Sequence, residues 1–207
     1  QVSFKTLLTD PETVTDADGN VYHTVTIGNQ IWMVENLKTT KYNDGTLIPH
    51  VADSYEWITL SAPGYCWANN NIENKSYYGA LYNYYAVSTG KLAPTGWHVP
   101  TESDWLALTA HLGGTSSAGA ALKEVGLNHW STPNIGANNS SGFTALPGGY
   151  RSPVSGDFVN LYTRAVLWGG TELNGLGGRY IIENNSTNTD FSYYSKTFGF
   201  SVRCIKD

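Results

Sequence analysis

The stretch from Val21 to Val34 constrains the fold more than any other part of this sequence. Val21, His23, Val25 and Ile27 alternate with Tyr22, Thr24 and Thr26, and Gly28-Asn29 separates them from Gln30-Ile31-Trp32-Met33-Val34. A period of two ending at a two-residue Gly/Asn turn is the pattern of an antiparallel hairpin. A helix signal stands further on. Pro100 precedes Thr101, Asp104 follows three residues later, Trp105, Leu108 and Leu112 repeat at helical spacing, and Gly113 stops the run. These are an N-cap, its capping-box partner, an apolar stripe and a C-terminal breaker in the right order. Helical spacing of Tyr78, Leu81, Tyr82 and Tyr85 predicts another helix over Tyr78–Val87, and a shorter one is predicted over Ala118–Val125, closed by Gly126.

From Asn128 onward Gly, Asn, Ser, Thr and aromatics dominate, with strand-like pieces at Phe143–Leu146, Ala165–Trp168, Arg179–Ile182 and Phe200–Ile205. In the last piece Phe200, Val202 and Cys204 alternate with Ser201 and Arg203, which predicts a half-buried strand. Thr39–Pro49 reads as loop, and Gln1–Thr13 has no periodicity and reads as a lead-in or linker. The expectation is one α+β domain over residues 14–207, with mixed or antiparallel strands, two main helices and long loops.

Composition narrows the function classes. Hydrophobic residues make up 41% and aromatics 13% of 207 residues, enough for a packed core and incompatible with intrinsic disorder. The twelve Lys and Arg are scattered and the formal charge is −5, which excludes a nucleic-acid footprint. No apolar run reaches the roughly 18 residues of a membrane span. The only Met is Met33, so the sequence does not begin at a translation start; a removed leader or a trimmed start both fit a secreted or cell-surface protein. A chain with 14% charged residues, rich in Tyr, Trp, Gly and Asn, fits an extracellular binding module better than a cytosolic metabolic enzyme.

The motifs that carry chemistry are few. Asp16-x-Asp18-Gly19-Asn20 matches half of a calcium loop, but the twelfth position is Ile27 where a bidentate Glu is needed, so a turn is expected. No cofactor is expected, and a structural calcium has no motif behind it. His23, His50, His98, His111 and His129 show no metal-ligand spacing, and no Gly-x-Ser-x-Gly elbow occurs. Glu102 and Asp104 suit a helix start, not a catalytic pair. Cys66 and Cys204 can form one bridge or remain buried thiols, and the extracellular character of the chain puts the bridge first.

Several strings occur in a family's order. They are Asp16-Ala17-Asp18-Gly19-Asn20-Val21-Tyr22, Ile27-Gly28-Asn29-Gln30-Ile31-Trp32-Met33, Glu35-Asn36-Leu37, and Tyr78-Gly79-Ala80-Leu81-Tyr82-Asn83-Tyr84-Tyr85-Ala86. Gly96-Trp97-His98-Val99-Pro100-Thr101, Gly142-Phe143-Thr144-Ala145-Leu146-Pro147-Gly148-Gly149-Tyr150-Arg151 and Gly199-Phe200-Ser201-Val202-Arg203-Cys204 complete the series. The chain resembles the Fibrobacter succinogenes major paralogous domain over nearly its whole length. The resemblance implies a C-type-lectin-like fold, shared with sulfatase-modifying-factor domains and retroelement-diversified receptor proteins, in a secreted or surface protein. It also implies paired terminal strands and a loop region presenting a binding face. The calcium tripeptides of such lectins, Glu-Pro-Asn and Gln-Pro-Asp, are absent. The sulfatase-modifying relatives use two neighbouring cysteines near the C-terminal part, where this chain has only Cys204, so an oxidase-like enzyme is the remote alternative.

The expected ligand-binding residues are Trp168, Asn174, Arg179, Tyr180, Asn184, Asn185, Asn188, Asp190, Tyr193 and Tyr194. Tyr and Trp supply rigid contact area, and Asn, Asp and Arg address hydroxyls and amides. The expected partner is an extracellular glycan, or a surface protein in adhesion. The alternative is a structural or assembly subunit that self-associates. Trp67–Asn74, another aromatic and Asn-rich loop, is expected to be an exposed connector.

Overall fold

β1 (Thr13–Thr15) pairs with β2 (Val21–Ile27), which turns through Gly28-Asn29 into β3 (Gln30–Met33), forming the predicted hairpin. These elements come from a computed structural model that describes residues 12–207. The first eleven residues of the expected lead-in lie outside the described residues, and Thr13 stands opposite His23 in the sheet. β4 (Tyr65–Trp67) pairs with β5 (Ala80–Tyr82), β6 (Trp97–His98) follows, and β7 (Tyr150–Arg151) pairs with β8 (Phe158–Val159). β9 (Arg164–Leu173), β10 (Leu176–Glu183) and β11 (Thr189–Tyr194) form a three-stranded sheet in the order β11-β10-β9. β12 (Ile205–Lys206) inserts between β3 and β6, with Ile205 opposite both Trp32 and His98, giving the order β1-β2-β3-β12-β6. Every ladder among the described residues is antiparallel, and parallel pairing occurs only as isolated bridges such as Leu167 with Ser201.

Five short α-helices among the described residues complete this α+β architecture: α1 (Ser54–Thr59), α2 (Lys75–Tyr78), α3 (Tyr84–Val87), α4 (Glu102–His111) and α5 (Ala118–Leu122). The α4 signals are all realised. Thr101 accepts from the Asp104 backbone, Asp104 reaches back to the Thr101 N–H, and Trp105 and Leu108 are buried. The helix expected over Tyr78–Val87 is not one helix. It splits into α2, β5 and α3, because Gly79 at φ +69° ends α2 and a Cβ there would meet the Leu37 carbonyl at 2.5 Å. Tyr82, placed on a helical face by spacing, is in β5 opposite Tyr65, while Asn83 caps α3 by accepting from the Ala86 N–H. The helix predicted to reach Val125 ends at Leu122, and Phe143–Leu146 is loop rather than strand.

The half-buried strand expected over Phe200–Ile205 does not form as one strand: single bridges at Phe200 and Ser201 give way to irregular chain before β12, and the stretch is buried on both sides. Phe200 bridges Tyr82, Ser201 bridges Leu167, and Ser201 and Arg203 are as enclosed as Phe200 and Val202. Arg203 survives there because its guanidinium donates to Asn36 Oδ1 at 2.9 Å and to the Phe143 carbonyl. Two more cations are sealed inside. Arg151 donates to the carbonyls of Val51, Ala52 and Gly156 at 2.6–2.9 Å. Lys123 Nζ donates to the carbonyls of Ile135, Glu183 and Ser186 at 2.8–3.0 Å. Burial pushes the Lys123 ammonium down to about 8, and the three carbonyls oppose that shift by favouring the charged form.

The expected Cys66–Cys204 bridge is absent; both thiols are free and buried. Cys66 packs with Trp57, Tyr78 and Leu81, whereas Cys204 packs with Tyr22 and Tyr82 in a different core cluster. A disulfide needs Cβ atoms about 3.5–4.5 Å apart, and these two sit in separate packing environments. Burial pushes the Cys66 thiol up to about 12 and raises Cys204 above its ordinary range. A thiol-specific reagent should therefore find no reactive cysteine in the native protein and both after denaturation without reductant. Failure to titrate either thiol in denaturant would restore the bridge.

Buried phenols predict alkaline behaviour. Desolvation raises Tyr22 and Tyr82 well above their usual range and pushes Tyr78, Tyr84 and Tyr180 up to about 12. In the unfolded chain tyrosines ionise near 10, so the unfolded state loses protons first. Stability is fully present below about pH 10 and is lost as pH rises through the folded values. Urea denaturation with tyrosinate absorbance as a second readout should show this fall; unchanged stability in strong alkali would contradict it.

Candidate functional site

The sheet of β9, β10 and β11 has two faces set by a period of two. On one face Tyr180 stacks on Trp105 at 4.3 Å and 10°, and its hydroxyl meets Thr109 Oγ1 at 2.8 Å. Phe191 packs on that side, and Tyr193 donates to Glu102 Oε2 at 2.5 Å. α4 therefore covers this face. The register places Arg164, Val166 and Trp168 of β9, then Arg179, Ile181 and Glu183 of β10, then Asp190, Ser192 and Tyr194 of β11 on the other face. Its inner part is core, where Trp168 is fully buried and donates from Nε1 to the Tyr82 carbonyl at 2.7 Å.

The outer part of that face opens into a cleft of about 120 Å³ lined by Arg164, Val166, Arg179 and Tyr194, together with Tyr150, Phe198 and Phe200. The four rings contact one another with centroids 5.1–6.5 Å apart, among them Phe198 with Phe200, Tyr150 with Phe198, and Tyr194 with Phe200. Arg179 lies over the Tyr194 ring at 4.1 Å, a cation–π contact that holds the guanidinium flat. Its Nη2 donates to Asp190 Oδ2 at 3.1 Å and Ser192 Oγ at 3.0 Å, while its buried Nε has no partner among the described residues. Arg164 contacts Glu183 Oε1 through Nε at 2.7 Å. Neither Glu183 nor Asp190 lines the cleft.

The ten expected binding residues divide. Arg179 and Tyr194 line this cleft, and Asp190 stands beside it, accepting from Arg179 Nη2. Trp168 and Tyr180 are corrections: both are buried in the core, out of reach of any ligand. Tyr193 faces α4 instead of the cleft. Asn174 occupies the exposed β9–β10 turn at φ +51°, and Asn184 donates to the Ser131 and Thr132 carbonyls, anchoring a loop. Asn185 and Asn188 are exposed between β10 and β11. The expected loop region over Trp168–Tyr194 is itself mostly sheet, because Thr189, Phe191 and Tyr193 alternate with Asp190, Ser192 and Tyr194. That alternation, extended to Arg164, could have found the second arginine. Tyr150, Phe198 and Phe200 give no local signal and arrive through the fold.

Two other hollows carry less chemistry. One of about 360 Å³ beside Gly28 and Gln30 contains a single titratable side chain, His111, and one of about 180 Å³ contains only His98. His98 is tied between Asp207 at 2.7 Å and Asp104 at 3.2 Å, in keeping with a structural role. In the Trp67–Asn74 segment Trp67 is buried, Asn69 and Asn70 are exposed, and Asn74 donates to the Ala68 carbonyl. The half-matched calcium loop is a closed turn. Asp16 accepts from Asp18, Asn20 and Tyr22, and Asp18 accepts from Thr40. Among the described residues, no group of three or more His, Cys, Asp or Glu is placed to hold a metal.

Small antiparallel sheets with short helices at their edges and faces define a mainly antiparallel α+β domain with one arginine-and-aromatic cleft. The model of the Fibrobacter succinogenes major domain matches residues 25–206, and the chain belongs to that family. Neither the curated proteins nor the solved structures gave a match.

The division of residues has a measurable consequence. Trp168→Ala should cost about 3–5 kcal/mol of stability, as for a buried aromatic, whereas Asn185→Ala should stay within about 0.5 kcal/mol. Equal urea midpoints for the two variants would return Trp168 to the surface.

Proposed function

We propose that this chain is a non-catalytic binding module, secreted or displayed at the cell surface, that holds a glycan in the cleft lined by Arg164, Arg179 and Tyr194. The carrying observation is the convergence of two guanidiniums with the rings of Tyr150, Tyr194 and Phe198 on one open sheet face. Aromatic faces accept the apolar CH patches of a sugar, and guanidinium N–H groups address its oxygens. The cleft is smaller than the roughly 300–1,000 Å³ of drug-sized sites, which fits one sugar ring rather than a large cofactor. A C-type-lectin-like fold is part of this reading, supported by the placement of β12 between β3 and β6. Cysteine oxidation of the sulfatase-modifying kind finds no support, since Cys66 and Cys204 lie in separate clusters and burial keeps both protonated.

An assembly role has one observation in its favour. Leu173 and Leu176 stand opposite each other and exposed beside the Asn174-Gly175 turn, an apolar tip that a second copy could cover. Sedimentation at rising concentration tests it: a monomer throughout removes this reading.

A glycan array followed by titration calorimetry tests the cleft. Tyr194→Ala should weaken binding about tenfold, equivalent to ~1.4 kcal/mol, while Tyr193→Phe on the opposite face should bind as the parent does. Equal loss in both variants would place the ligand elsewhere.

A further inference from the structure

Resting on the reading of this cleft as a glycan site, we propose that the sugar it takes carries a carboxylate, a uronate-type residue in which the carboxylate meets the guanidiniums and the ring lies on the aromatic side chains. Arginine presents five N–H donors in a planar fork that matches a carboxylate through paired hydrogen bonds. At Arg179 only Nη2 is used by the protein, on Asp190 and Ser192, and the buried Nε keeps a donor without a partner among the described residues. At Arg164 the contact to Glu183 is made through Nε, leaving the two terminal nitrogens without a partner among the described residues. The lining therefore contains two guanidiniums and no carboxylate, although the chain as a whole carries a formal charge of −5.

That contrast matters. An acidic protein gives an anion no attraction at a distance, so selection for one has to be made at contact, by charge-assisted hydrogen bonds inside a partly enclosed hollow. A neutral sugar would offer the guanidiniums of the lining only hydroxyls, weaker acceptors than a carboxylate oxygen. The rings supply the rest of the recognition. Arg179 is already held flat on Tyr194, so little side-chain freedom is lost when a ligand binds.

The test is titration calorimetry of the whole chain with oligogalacturonate and oligoglucuronate, the same oligomers methyl-esterified, the corresponding neutral oligomers, and a peptide ending in a free carboxylate. The acids should bind about tenfold or more tightly than their esters, and Arg179→Gln should bring the acid-to-ester ratio to about one. Should Arg179→Gln fail to fold, Arg164→Gln carries the same test, because the Arg164 side chain is 38% exposed and stands at the edge of the cleft. Equal affinity for acid and ester would overturn the carboxylate proposal and leave the glycan reading standing. Binding of the peptide alone, or of no probe, would overturn both.

Discussion

Three buried cations that have no carboxylate partner among the described residues hold this fold together. Lys123, Arg151 and Arg203 are essentially inaccessible; Lys123 and Arg151 donate to backbone carbonyls, and Arg203 to the Asn36 side chain and the Phe143 carbonyl. The chain from Asn128 to Thr163 has almost no regular structure beyond the two-residue strands β7 and β8, so its carbonyls have few ladder partners. Buried carbonyls left unpaired cost about 1–3 kcal/mol each. A long cationic side chain inserted from a neighbouring element satisfies two or three of them at once. Arg151 fastens the segment before α1, Arg203 fastens the loop at Phe143, and Lys123 fastens the connection between β10 and β11.

The candidate cleft depends on that arrangement indirectly. Lys123 fixes the carbonyls of Glu183 and Ser186, which begin the turn leading into β11, and so helps set the strand that presents Asp190, Ser192 and Tyr194. Across the sheet, the Trp105–Tyr180 stack and the Thr109–Tyr180 hydrogen bond pin β10 to α4. Arg179 then projects from a strand immobilised on its other side, with Tyr194 beneath its guanidinium. A rigid strand is a better platform for a fixed hydrogen-bonding geometry than a loop.

Local chemistry made part of this legible. The hairpin around Gly28-Asn29 and the capped helix starting at Thr101 follow from turn and capping rules that act within a few residues, and both formed as read. The helix expected over Tyr78–Val87 failed because periodicity cannot see that Gly79 presses against the Leu37 carbonyl or that Leu81 pairs with Cys66. Arg203 looked like a solvent-facing residue of a half-buried strand, yet tertiary contacts from Asn36 and Phe143 cover it. Composition pointed to a stretch that supplies part of the cleft but read it as loop, whereas most of it is sheet. Trp168 and Tyr180 read as surface by composition, yet they stand on opposite faces of the sheet and each is covered by other parts of the chain, Trp168 by Tyr84 and Phe200 and Tyr180 by Trp105. Tyr150, Phe198 and Phe200 reach the cleft from elsewhere in sequence, and nothing local announces them.

Tyr193 and Tyr194 are neighbours that answer to different masters, one bonded to Glu102 on α4 and the other lining the cleft. The same holds along β11, where Thr189, Phe191 and Tyr193 belong to the scaffold and Asp190, Ser192 and Tyr194 to the open face. Because side chains alternate strictly across a strand, the two sets are separable by parity. Substitution at an even-numbered position of β11 changes the cleft side of the sheet, while the odd-numbered positions are held by packing toward α4. A single-residue insertion there would exchange the two sets and put the α4-facing side chains on the cleft side, so this strand accommodates a change of residue far more readily than a change of length.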